Sequence, residues 1–83
     1  MEEWEKFRLR FSKAVRDRRN ALGLSQGALA KSSGFSRSYI ADVERGARSI
    51  TLKNAWRLAY CLQIELADLL PTSELTSVAA QSA

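Results

Sequence analysis

The sequence has 83 residues, enough for one small domain and too few for two. A single cysteine, Cys61, excludes an intrachain disulfide and points to a reducing compartment, and with no histidine there are too few soft ligands for a structural zinc site. All 13 Lys and Arg lie between residues 6 and 57 beside three acids (Asp17, Asp42, Glu44), a local excess of +10, which fits a face for a polyanion and equally a solvated helical surface.

In chain order, the first predicted element is an amphipathic helix from about Glu3 to Ala21. Trp4, Phe7, Phe11, Val15 and Leu22 recur at helical steps, and the opposite face carries Arg8, Arg10, Lys13, Arg16 and Arg19. Its charged start lacks the apolar run of a signal peptide, and no later stretch approaches the ~18 apolar residues of a membrane span. A soluble, cytoplasmic chain with no membrane partner is expected. Gly23 ends this helix, and Ser25 caps a second one in which Leu29 and Ala30 point inward, ending by Ser33-Gly34. Ser36 opens a third, with Ile40 and Val43 facing the core, and Gly46 ends it. Thr51 caps a fourth over Leu52 to Leu62, with Leu52, Ala55, Leu58, Ala59 and Leu62 as its inner stripe. A short fifth helix, Leu66 to Leu70, stops at Pro71. No strand-like alternation occurs, so the domain is expected to be all-α over residues 1–70, followed by a polar, mobile tail over 71–83.

The stretch SQGALAKSSGFSRSYIADVERG, residues 25–46, holds the signal for function. Arg37 and Ser38 open the third helix before any apolar residue, where a helix built only to pack would place apolar residues sooner. These residues resemble the helix-turn-helix of the Cro and phage-repressor superfamily of transcription factors. The match runs through Ser25-Gln26, Leu29-Ala30, Gly34, Phe35, Ser36, Ile40 and Glu44-Arg45-Gly46, and continues through SITLKNAWRLAYCLQIELADLL. The resemblance implies a compact five-helix, lambda-repressor-like DNA-binding domain. Arg19 and Glu44 stand where such repressors have a partly buried structural ion pair. Helix 3 would then enter the major groove by its N-terminal end. Arg37, Ser38, Tyr39, Asp42 and Arg48 are the expected base readers. Gln26, at the positive end of helix 2, is expected at a phosphate, with Lys31, Arg45 and Lys53.

The narrower run SRSYIADVERGARSITLKN is similar to the controller proteins of bacterial restriction–modification systems, which are dimeric members of this superfamily. In that subgroup the arginines matching Arg37 and Arg48 contribute to DNA binding, and Arg45 would serve the backbone. Two departures stand out: Gly27 inside helix 2, and Gln63 where the family has a helix-ending glycine. A recognition helix of about nine residues spans only ~13 Å, so a palindromic site and a two-fold dimer are expected. Tyr60, Cys61, Ile64, Leu66, Leu69 and Leu70 are the expected interface, in a region with no basic residue after Arg57. Double-stranded DNA, a second copy and RNA polymerase are the expected partners, with no cofactor. An antitoxin, a phage- or plasmid-type repressor and a protein-interaction module stay open as alternatives. An enzyme has the least support, since no catalytic arrangement is visible.

Overall fold

The computed structural model describes residues 2–71, so of the expected tail all but Pro71 lies outside the described residues. Five helices follow in order: α1 (Glu2–Ala21), α2 (Gln26–Ser33), α3 (Arg37–Arg45), α4 (Leu52–Cys61) and α5 (Leu66–Leu69). No strand occurs among the described residues. Local chemistry sets most of the boundaries. Ser25, Ser36 and Thr51 each hold an extended conformation, and their hydroxyls accept from the backbone N–H of Ala28, Tyr39 and Asn54 at 3.0, 3.0 and 3.1 Å. Each such cap satisfies a donor that the helix cannot, worth about 1 kcal/mol.

The end of α4 answers the question raised by Gln63. It adopts a left-handed φ of 60°, and the Ile64 N–H bonds back to the Ala59 carbonyl at 3.1 Å. Gln63 thus takes the role of a capping glycine at some strain. Arg18 supports this end from across the core: its Nε donates to the Leu62 carbonyl at 2.9 Å and its Nη2 to the Gln63 carbonyl at 3.3 Å. A guanidinium there satisfies orphan carbonyls and suits the negative end of the helix dipole.

The core joins Phe11 and Val15 of α1, Leu29 and Ala30 of α2, Ile40 and Val43 of α3, Ala55, Leu58 and Ala59 of α4, then Leu62 and Leu69. α3 packs on both α1 and α2, and α4 bridges α2 and α5. Two expectations are corrected here. Leu52 is 76% exposed rather than inward. It is the first residue of α4, at the margin of the apolar stripe, with no preceding turn to cover it. Ile50, just ahead of the Thr51 cap, packs on the core instead. Leu69, expected at a dimer interface, is 1% exposed within its own chain, because α5 folds back to close the core. Trp4, at the start of the α1 stripe, is 44% exposed and stacks on Phe7 with centroids 5.9 Å apart.

Candidate nucleic-acid interface

The turn between α2 and α3 is built from three residues. Ser33 is buried, its hydroxyl donating to the Ala30 carbonyl and accepting from the Phe35 N–H, both at 3.3 Å. Gly34 takes φ 82°, a left-handed value open to glycine without a steric penalty. Phe35 then lies half-buried against the Tyr39 ring, 4.7 Å between centroids, with the Arg57 guanidinium over the Phe35 ring at 5.1 Å from its centroid. This fixes the angle at which α3 leaves the turn.

α3 is anchored from behind. Ile40, Val43 and Glu44 are buried, whereas Arg37, Ser38 and Arg45 face solvent. Glu44 is 4% exposed yet fully served by donors. Arg19 Nε reaches its Oε2 at 2.6 Å and Nη2 its Oε1 at 2.9 Å, a two-pronged pair across α1 and α3. Arg19 Nη1 also donates to the Leu24 carbonyl at 2.7 Å, tying in the α1–α2 link. The Glu44 carboxylate raises the Arg19 pKa above its ordinary value, against the opposing effect of burial.

One N–H of the Gln26 amide donates to Glu44 Oε1 at 3.2 Å, so the side chain is tied to α3 from the start of α2. The backbone N–H groups of the first turn of α2 are the part of this residue's neighbourhood suited to an anion. Lys31 on α2 and Lys53 in the first turn of α4 are exposed.

A second network covers the outer side of α3. The Tyr39 hydroxyl accepts from Asn54 Nδ2 at 3.1 Å, and the Arg48 guanidinium lies over the Tyr39 ring, 4.9 Å from its centroid. Asp42 receives Arg45 at one carboxylate oxygen and Arg48 at the other, the latter at 3.0 Å. Hydrogen bonds from Arg45 and then Arg48 hold the Asp42 carboxyl below the usual carboxylate range. Asp42, expected to read a base, thus has both oxygens occupied by its own chain. Arg37, Ser38, Tyr39, Asp42, Arg45 and Arg48 come together around α3. Asn54, which steadies Tyr39, has no signal in the sequence beyond being polar in the first turn of a helix.

The residues expected at a dimer interface form a separate region. Tyr60 is 72% exposed and its ring meets that of Trp56, also exposed, in a tilted contact with 5.6 Å between centroids. Cys61, Ile64, Leu66 and Leu70 are partly buried against the core, and the Cys61 thiol lies 3.6 Å from the Ser32 carbonyl. Among the described residues no group of side chains could hold a metal ion, and no helix is long and apolar enough to cross a membrane.

A protein-family model described as helix-turn-helix matches residues 15–69. Control protein C.BamHI from Bacillus amyloliquefaciens is 38% identical over 64 residues, covering 76% of this chain and 79% of that protein. Control protein C.SmaI from Serratia marcescens is 45% identical over 56 residues, covering 68% and 67%. The crystal structure of the restriction-modification controller protein C.AhdI from Aeromonas hydrophila superimposes with a TM-score of 0.73 at 45% identity. That match covers 75% of this chain and 94% of the other.

Proposed function

The chain belongs to the helix-turn-helix family of DNA-binding transcription regulators, and on that premise we propose that it controls a restriction–modification system by reading a palindromic operator as a two-fold dimer. The observation that carries the reading is the first turn of α3. Arg37 and Ser38 are presented to solvent on a helix locked from behind by Ile40, Val43 and the Arg19–Glu44 pair. A rigid helix with a polar leading end is what insertion into the major groove requires. Two relatives named control proteins and a controller structure of similar fold support the narrower assignment.

In this reading Arg37 makes the bidentate contact to guanine O6 and N7, and Ser38 reaches a neighbouring base edge. Arg48 and Tyr39 read beside them, while Lys31, Arg45, Lys53 and the first turn of α2 hold phosphates. Gln26 and Arg19 serve the pose of α3 through Glu44. The dimer forms through Tyr60, Ile64, Leu66 and Leu70, with Cys61 beside them and Trp56 extending the surface through its contact with Tyr60. The protein acts in the cytoplasm as a binding protein rather than an enzyme, and RNA polymerase is the further partner a regulator meets at a promoter. Selection of binding sites from a random duplex library tests this reading. Two inverted half-sites about one helical turn apart are expected; a single asymmetric site would contradict the dimer.

A further inference from the structure

We propose that Asp42 is a specificity-determining residue of this interface: its carboxylate holds Arg45 and Arg48 in the unbound protein and so withholds both arginines from DNA of arbitrary sequence. The proposal rests on the DNA-binding reading of α3. Ser38, Asp42 and Arg45 follow one another at steps of four and three residues, so they share a face of the helix. Opposite them Ile40, Val43 and Glu44 are buried, which makes this the outward face. The other acid of α3, Glu44, is engaged by Arg19, so Asp42 sets a negative charge in the middle of the surface that meets DNA.

The carboxylate is placed as a phosphate would be. Arg45 donates to one oxygen and Arg48 to the other at 3.0 Å, the kind of charge-assisted bond that a guanidinium also makes to a phosphate. Arg48 is held a second time by the Tyr39 ring, and Tyr39 in turn by Asn54. The turn after α3 makes this possible: Gly46 takes φ 69°, and the Ala47 N–H bonds to the Asp42 carbonyl at 2.9 Å, bringing Arg48 back over the helix. A phosphate must therefore displace Asp42 from two arginines and also lie near its negative charge. That penalty applies to any sequence. A cognate site offsets it through base contacts by Arg37 and Arg48, and through a cytosine amino group that the released carboxylate can accept from. Random DNA offers no such return.

Asp42→Asn removes the charge with almost no change of shape, and Asp42→Ser does so with a different side chain should the amide disturb the helix. Each is compared with the wild type by fluorescence anisotropy on a labelled random-sequence duplex across a salt series. Both variants should bind this duplex about three- to tenfold more tightly, with a log–log salt slope steeper by about one to two, as the released arginines neutralise further phosphates. Arg48→Gln should change random-DNA binding little in the wild type and remove part of the gain in the Asp42→Asn background. Unchanged or weaker binding by the Asp42 variants, beside a wild type that binds, would overturn the role of Asp42. A wild type that binds no duplex even at low salt would instead overturn the DNA-binding reading beneath it.

Discussion

Glu44 is the most completely satisfied charge among the described residues of α3, with two bonds from Arg19 and one from Gln26. A buried pair of this kind adds little net stability, because desolvation offsets attraction, yet removing one partner strands the other. Arg19→Ala should therefore cost about 2–4 kcal/mol in a chemical denaturation melt, with Gln26 too weak a donor to compensate. A melt unchanged from wild type would show that Glu44 is not held in the way described. Gln26→Ala should cost less, since it removes one neutral donor and leaves the two-pronged pair in place. At this scale the Arg19–Glu44 pair was legible only as what the helix-turn-helix resemblance implies, since no spacing rule links residues so far apart. The sequence does not reveal Asn54 on Tyr39 or Arg48 on Asp42. Those contacts depend on how sharply the chain turns at Gly46, and nothing in residue type alone fixes that path.

At the level of elements, the starts of α2, α3 and α4 were legible because each depends on a hydroxyl three residues before the N–H it accepts from. Leu52 and Leu69 were not. Periodicity identifies which face of a helix is apolar, but neither the margin of that face nor the identity of whatever covers it. Two of the motif's three glycines, Gly27 and Gly46, make the contrast between local and tertiary constraint testable. At Gly27 an added Cβ would meet only the Ser25 hydroxyl, at an ordinary 3.8 Å, so the space for alanine exists. Gly27→Ala should stabilise the domain by about 1 kcal/mol through helix propensity. A loss of DNA affinity in that variant would mark close phosphate approach to the backbone. At Gly46, the left-handed φ and a Cβ position 2.6 Å from Leu9 Cδ2 act together. Gly46→Ala should destabilise by more than 1 kcal/mol, as about 1 kcal/mol or more comes from the left-handed backbone alone. Equal melts for the two glycine variants would contradict this account of the turn.

For the molecule as a whole, the proposed division places DNA on the side of α3 and a second copy on the side of Tyr60 and Ile64. The tilted contact between Trp56 and Tyr60 leaves two large rings in solvent, which a two-fold partner would cover. Tyr60→Glu should shift the protein to monomer in light scattering and remove the concentration dependence of its melting temperature. Because Tyr60 is exposed, the monomer should stay folded, whereas Leu69→Asp should unfold the chain since Leu69 closes the core. A Tyr60→Glu protein that remains dimeric would move the interface elsewhere. Entry of α3 into the groove by its N-terminal end is tested by binding-site selection with Arg37→Ala and Arg45→Ala at two salt concentrations. Arg37→Ala should lose about 1–3 kcal/mol on the selected site and flatten the preference at one position per half-site. Arg45→Ala should keep the preference and reduce the salt slope by about one per half-site. The opposite result, with Arg45 setting the sequence and Arg37 only the affinity, would mean that the helix enters the groove by its other end.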